Sequence, residues 1–235
     1  MSGTIRDLAE AGWSGAVPAG QLWKPTGRAE EIVPGVIFLH TFANMTVVRT
    51  SAGLVLIDTS NYAARARTFA LVRSVSDAPV FAAIYTHGHA DHALGLPPFL
   101  AQAREQGWPR PYIIGHRNVA ARFARYRQTN GYNALINARQ FGIAPTWPMD
   151  YDDPDVAYDD VMGFTPGEID RSSCITRAAR PTTTPGCGGP SAGSSGPAIS
   201  SSGSRPTPAT RRRFSATPAT GRCPCAPCVR SSPSC

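Results

Sequence analysis

The chain has 235 residues, of which 42% are hydrophobic and 17% are charged, so it can bury a sizeable core. No apolar run approaches the roughly 20 residues that a membrane-spanning helix needs, which argues against a membrane span. The first residues, MSGTIRDLAEAGWSG, lack the basic start and apolar core of a secretory signal. We therefore expect a cytoplasmic protein.

The net charge of +7 is concentrated in one segment. Ser173–Cys235 holds eight arginines, all six cysteines and no acidic residue, whereas the first 172 residues carry 15 basic and 16 acidic side chains. The basic balance therefore does not indicate a specific nucleic-acid partner, and Arg211–Arg213 could contact phosphates only nonspecifically. Cys223, Cys225 and Cys228 could form a zinc knuckle or a disulfide clip, but no second cluster accompanies them.

Three segments are predicted along the chain. Residues 1–32 are rich in Gly, Ala and Pro, and we expect a loosely ordered lead-in. Residues 33–172 form a partial domain. Residues 173–235 are predicted to be disordered, because Ser, Pro, Thr, Ala and Gly account for 45 of them.

The predicted domain begins with strands and continues with alternating helices and strands. The strands are short β-branched runs bounded by Gly, Asn and Ser: Val33–His40, Met45–Thr50 and Gly53–Thr59. A helix at Ala63–Ser76 and a strand at Pro79–Tyr85 follow, and then a helix at Phe99–Glu105, a strand at Tyr112–His116 and a helix at Asn118–Gln128. This order predicts an α/β layered sheet.

A cluster of metal-ligating residue types follows the Pro79–Tyr85 strand. The loop His87-Gly88-His89-Ala90-Asp91-His92 holds three of the five histidines of the chain and one carboxylate. Imidazole and carboxylate groups are the usual ligands of zinc and similar divalent metals. His87 and His89, two residues apart on an extended loop, can share one ion, and Asp91 and His92 can turn toward a second position. The alternative is a polar loop with chance histidines.

HGHADH resembles the HxHxDH metal loop of the metallo-β-lactamase superfamily. Gly53–Thr59 (GLVLIDT) resembles the strand that precedes this loop in the family and ends in an aspartate. The resemblance implies that Asp58 packs behind the loop and orients a ligand, although a strand-end aspartate in a turn is the alternative. It also implies an αββα sandwich, of which this chain holds only the N-terminal portion, and two Zn²⁺ ions in complete members.

The rest of the domain looks most like the alkylsulfatase-related branch of that superfamily. The residues that carry this likeness are HTFAN at 40–44, IIGHRNVAAR at 113–122 and GYNALINARQFG at 131–142. The likeness implies hydrolysis of a small sulfate ester by metal-activated water, with Asp91 helping to orient the nucleophile. Asn133, Asn137 and Arg139 are candidates for an anion pocket, since a guanidinium fork suits sulfate oxygens, but a plain amphipathic helix also explains them. Lactone, thioester and β-lactam substrates stay open, and a homodimer is expected only of complete relatives.

Several polar residues outside the loop are expected to have structural roles. His40 and His116 are expected to be hydrogen-bonded structural histidines. Asp150–Asp160 is expected to be a solvated acidic loop. A solvated helix face is expected to hold Arg117, Arg122, Arg125 and Arg127.

The ligand set of this chain is incomplete in comparison with the family, which adds a histidine, a bridging acidic residue and a final histidine from later strands. The chain has no histidine after His116 and no carboxylate side chain after Asp170. One permissible coding of Ser173–Gly186 (SCITRAARPTTTPG), translated from its third base, gives LHHARGETDDHTW, which resembles the missing segment. We therefore expect a frameshift near residues 167–173 and a C-terminal segment that is out of frame.

Overall fold

The structure, a computed structural model, describes residues 3–18, 20 and 24–166, together with the backbone of residues 174–177. Seven strands form one mixed sheet in the order β1 to β7. β1 to β4 are antiparallel neighbours, and β4 to β7 run parallel to one another. The strands are β1 (Arg28–Val33), β2 (Val36–His40), β3 (Met45–Thr50), β4 (Gly53–Ile57), β5 (Val80–Tyr85), β6 (Tyr112–His116) and β7 (Val156–Tyr158).

Six helices are described, and most of them connect the parallel strands. They are α1 (Ile5–Trp13), α2 (Arg65–Arg73), α3 (Ala90–Ala93), α4 (Pro97–Glu105), α5 (Asn118–Gln128) and α6 (Asn130–Phe141). A second, two-stranded antiparallel sheet joins β8 (Val161–Phe164) to β9 (Cys174–Arg177). No helix among the described residues has the length and apolar character required to cross a membrane.

The two faces of the large sheet bury two apolar clusters. The larger cluster joins inward-facing strand residues such as Leu56 and Tyr85 to Val72 of α2, Phe99 of α4 and Phe123 of α5. On the opposite face Val55, Ala82, Ile84 and Ile114 pack with Phe164 of β8. Because β4 is buried on both faces, its sequence GLVLI is a continuous apolar run. The expected α/β layered sheet is confirmed.

The expectation of a loosely ordered lead-in is corrected for two segments of residues 1–32. Helix α1 begins with a capping box, in which the Thr4 hydroxyl accepts from the Asp7 N–H and the Asp7 carboxylate accepts from the Thr4 N–H. Ile5 anchors this helix, because its side chain is buried. Residues Arg28–Val33 pair along β2 as an edge strand.

Other boundaries also differ from the predicted ones. Gly35, with a φ of +81°, makes the turn between β1 and β2, so the predicted strand Val33–His40 is divided. The acidic stretch 150–160 is not wholly a solvated loop: Tyr151 is buried, β7 lies within the stretch, and Asp155 accepts a hydrogen bond from the Ile113 N–H. Within the predicted disordered segment, β9 is the part that the structure describes, and the rest lies outside the described residues.

The Tyr85 hydroxyl gives a stability prediction. Its side chain is fully buried, and within the described part of the chain this hydroxyl has no hydrogen-bond partner. Because a buried, unpaired hydroxyl is costly, Tyr85→Phe is expected to raise the free energy of unfolding by about 1 kcal/mol. Urea unfolding checks this, with Tyr132→Phe as the control, since Tyr132 is exposed. A clear loss of stability in Tyr85→Phe would contradict the prediction.

Candidate metal centre

The predicted metal loop lies at the carboxyl edge of the parallel strands. β4 ends at Ile57 and β5 at Tyr85, and the two strands are paired in parallel through Ile57 and Ile84. The residues that follow them, Asp58 and Thr86, therefore lie side by side. This edge is where open α/β sheets place their sites.

Asp58 is buried behind the loop and holds it through several contacts. Its Oδ1 accepts hydrogen bonds from the Thr86 N–H (2.8 Å) and the Thr86 hydroxyl (2.9 Å). Its Oδ2 lies 2.7 Å from Nδ1 of His92. The Thr59 N–H donates to the carbonyl of His92 at 2.8 Å, which ties the same turn to the far end of the loop. Asp58 thus fixes the ring of His92 and directs Nε2 away from the strand.

The backbone around Asp58 is in a conformation that few residues adopt. Asp58 has a φ of +59° and Ser60 a φ of +72°. Non-glycine residues in the left-handed region are uncommon and collect at functional sites, although Asp and Asn tolerate it best. The turn therefore orients the carboxylate toward the loop at some conformational cost.

The three histidine rings of the loop are adjacent. The ring centroid of His87 lies 4.5 Å from that of His89 and 4.2 Å from that of His92. Burial, followed by the charges of His92 and His89, lowers the pKa of His87 to about 4. Burial and then the charge of Arg122 lower the pKa of His89. These two imidazoles are therefore neutral near pH 7, the form that binds metals.

His92 behaves differently. Burial alone would lower its pKa, but the hydrogen bond and the charge of Asp58, with the charge of Asp91, outweigh burial and raise it. Its Nε2 lies 3.6 Å from Oδ2 of Asp91. Both ring nitrogens of His92 are therefore near a carboxylate.

The donor types of the loop fit zinc, the metal that the family implies, but their arrangement is not a closed ligand set. Across the described residues, no three or more His, Cys, Asp or Glu side chains are grouped so that they could hold a metal ion. Metal binding therefore requires a rearrangement of these side chains or further ligands to complete the coordination.

Arg122 was predicted to lie on a solvated helix face, and the structure corrects this. Its side chain is half-buried, and its Cβ and Cγ lie against Gly88 of the loop. Arg117 and Arg127 form ion pairs with Asp159 and Asp153, and Arg125 is exposed. The charge pattern of α5 contained no signal for the role of Arg122, because the contact with Gly88 joins distant parts of the chain.

Gly88 gives a test of this packing. A Cβ at Gly88 would lie 2.8 Å from Cβ of Arg122 and 3.3 Å from Cα of Val119. Gly88→Ala is therefore expected to push the loop off α5 and to lower the free energy of unfolding by about 1 to 3 kcal/mol. Thermal unfolding measures this, and Gly163→Ala is the control, because a Cβ there meets nothing within 4 Å. Equal stability of the two variants would show that the loop does not pack on α5.

The proposed anion-pocket residues lie on α6. Asn133 donates its side-chain amide to the Thr129 hydroxyl at 2.9 Å, and Asn137 donates to the Asn133 carbonyl at 2.8 Å. Arg139 is exposed. In the described part of the chain no hydrogen bond joins these three side chains to the loop.

The two remaining histidines make structural hydrogen bonds, as expected. Nδ1 of buried His40 lies 3.1 Å from the Thr26 hydroxyl. Nδ1 of His116 accepts from the Asn118 N–H at 3.1 Å, and its ring packs edge-on against Tyr158.

The chain resembles a known protein family in its sequence. The sequence profile of the metallo-beta-lactamase superfamily matches residues 40–191, a range that extends into the Ser173–Cys235 segment. A search of curated proteins found no match.

Three of the solved structures that this chain is similar to are the following. The stereoselective inverting sec-alkylsulfatase Pisa1 from Pseudomonas sp. is 20% identical with a TM-score of 0.49, over 63% of this chain and 26% of that one. A subclass B3 metallo-beta-lactamase of Bradyrhizobium japonicum is 17% identical (TM-score 0.48; 72% and 58% of the two chains). A metallo-beta-lactamase of Cronobacter sakazakii is 19% identical (TM-score 0.45; 66% and 53%). The chain thus spans about a quarter to three fifths of their lengths.

The family profile covers more than half of the chain, including the whole loop and the strands that carry it. The chain belongs to the metallo-beta-lactamase superfamily.

Proposed function

We propose that this chain is the N-terminal part of a metal-dependent hydrolase of the cytoplasm that cleaves small sulfate esters. The observation that carries the proposal is the packed group of His87, His89 and His92 at the carboxyl edge of the sheet, fixed from behind by Asp58. Zinc bound there would lower the pKa of its water toward neutrality and offset charge on the substrate.

The residues of the chain have separate tasks in this proposal. His87 and His89 offer neutral imidazole nitrogens to the metal, and His92 offers Nε2 because Asp58 engages its Nδ1. Asp91 completes this part of the ligand set and orients the attacking water. Asn133, Asn137 and Arg139 contact the substrate, which requires the two amides to exchange their present hydrogen bonds for substrate oxygens.

In this proposal the sequence supplies only part of the metal-binding residues. No histidine follows His116 and no carboxylate side chain follows Asp170, so water would take the remaining coordination positions and zinc would bind weakly. We attribute this to a frameshift near residues 167–173. Sequencing the coding DNA across codons 160–190 in independent isolates tests the frameshift, and an uninterrupted frame in all of them would refute it.

The alternative function is an inactive fragment, and the unclosed ligand set favours it. Hydrolysis assays distinguish the two. The full chain is incubated with zinc and a secondary alkyl sulfate, a lactone, a thioester or a β-lactam, and His89→Ala is the control. Cleavage of the sulfate ester that His89→Ala abolishes supports the proposal. Cleavage of another substrate alone would refute the sulfatase assignment, and no cleavage with any substrate would identify a fragment.

A further inference from the structure

The guanidinium of Arg122 is a positive charge beside the metal loop, and no carboxylate among the described residues pairs with it. The side chain is half-buried, its stem packs on Gly88, and its Cζ lies 5.6 Å from the ring centroid of Tyr126. Contact with the aromatic face restrains the guanidinium. Arg122 is therefore held at one place by the loop on one side and by its own helix on the other.

The other basic residues of α5 differ from Arg122. Arg127, and Arg117 just before the helix, are paired with aspartates, and Arg125 is exposed. In the part of the chain that the structure describes, Arg122 is half-buried and makes no ion pair.

A half-buried cation that is held in place and has no ion-pair partner among the described residues is suited to bind an anion from solution. The guanidinium fork donates two parallel hydrogen bonds, a geometry that matches two oxygens of a sulfate group. The only charge of the opposite sign close by in the loop is Asp91, which faces Nε2 of His92.

We propose that Arg122 binds the sulfate group of the substrate beside the metal loop and thereby selects anionic esters. The assignment of an ester substrate rests on the proposed function, but the anion site itself can be tested without metal or hydrolysis. A purely structural role for Arg122 would need only its aliphatic stem against Gly88.

The experiment measures sulfate binding to the metal-free full chain by the imidazole proton resonances. Five histidines make the spectrum simple, and three of them lie in the loop. Sodium sulfate is titrated at constant ionic strength against sodium chloride, in the presence of a chelator. The variants are Arg122→Met, which keeps the stem, Arg122→Lys, which keeps the charge, and Arg125→Met, which removes an exposed arginine of the same helix. All variants retain the eight arginines of the C-terminal segment, so differences isolate the site.

Sulfate is expected to shift the loop histidine resonances in a saturable manner in the unmodified chain and in Arg125→Met. Binding is expected to weaken by about tenfold or more in Arg122→Met and by less in Arg122→Lys, since the lysine lacks the fork. Equal binding by Arg122→Met would overturn the proposal, as would tighter binding of acetate than of sulfate. If Arg122→Met does not fold, equal sulfate affinity in Arg122→Lys and the unmodified chain would overturn the bidentate site.

The two proposals can fail separately. Sulfate binding that depends on Arg122 in a chain without zinc-dependent hydrolysis would support this site and refute the enzyme. Hydrolysis that depends on His89, together with sulfate binding that Arg122→Met does not change, would support the enzyme and refute this site.

Discussion

Gly95→Ala is expected to lower the free energy of unfolding by about 3 kcal/mol or more, the largest effect of any substitution considered for this chain. A Cβ at Gly95 would lie 1.6 Å from the carbonyl oxygen of Thr59 and 2.6 Å from its carbonyl carbon. Both are backbone atoms of the turn that carries Asp58, and they cannot move without moving the turn. Relief of the clash would separate the turn from the loop and break the hydrogen bond from the Thr59 N–H to the His92 carbonyl.

Urea unfolding monitored by circular dichroism measures this effect. Gly131→Ala is the matched control, because Gly131 is in α6 and a Cβ there meets nothing within 4 Å. The control is expected to stabilise the protein by about 0.5 to 1 kcal/mol, since alanine favours a helix over glycine. A Gly95→Ala protein as stable as the control would show that the turn and the loop are not packed together.

Asp58→Asn is expected to have the second largest effect, a loss of about 2 to 3 kcal/mol of stability and a 10- to 100-fold loss of zinc affinity. Asparagine fits the positive φ at this position, so the backbone is preserved. The amide, however, replaces one carboxylate oxygen with a donor. If the side-chain NH2 faces Thr86, the hydrogen bond from the Thr86 N–H is lost. If it faces Nδ1 of His92, Nδ1 must accept, and the imidazole proton then lies on Nε2, the nitrogen proposed to bind the metal.

The two parts of this prediction are measured separately. Unfolding in urea gives the stability, and competition with a chromophoric chelator gives the zinc affinity. Asp160→Asn is the control, because Asp160 is exposed and also loses one negative charge. Unchanged zinc affinity in Asp58→Asn, with the expected loss of stability, would mean that Asp58 supports the fold but does not orient a ligand.

Local sequence patterns are sufficient to predict most of the sheet. β3 and β6 have the predicted bounds, because β-branched runs are bounded there by turn residues. The loop after β5 was predicted to be extended at His87 and His89 and to turn at Asp91 and His92. The turn is the short helix α3, which holds Asp91 and His92. A four-residue helix is too short to produce a periodic pattern, and it forms because Leu94 and Leu96 behind it are buried.

Two features of the candidate site could not be predicted from local patterns. The packing of Arg122 on Gly88 joins α5 to a loop more than 30 residues earlier, and nothing in α5 alone distinguishes Arg122 from its arginine neighbours. The intrahelical hydrogen bonds of Asn133 and Asn137 depend on i to i+4 spacing, which the sequence contains, but that spacing also suits an exposed polar pocket.

The lead-in was mispredicted although it contained a signal. Thr4 and Asp7 have the spacing of a capping box, and Ile5 is the apolar residue that anchors the helix. Composition rich in Gly and Ala outweighed these residues in the prediction. In β1 the charged pair Glu30 and Glu31 concealed an edge strand, where Glu31 accepts from Arg49 of β3 at 2.7 Å.

The most direct test of the account is the amount of zinc that the full chain retains through the loop. Three proteins are dialysed against zinc at pH 7: the unmodified chain and the double variants His87→Ala/His89→Ala and Cys223→Ser/Cys225→Ser. The free zinc concentration is then lowered by dilution, and the zinc that stays bound is measured as ions per chain. We predict weak binding of fewer than the two ions of a complete site, lost in the histidine variant and kept in the cysteine variant. Zinc that persists in the histidine variant and disappears in the cysteine variant would contradict the account, because the metal would then belong to the C-terminal cysteines and not to the loop.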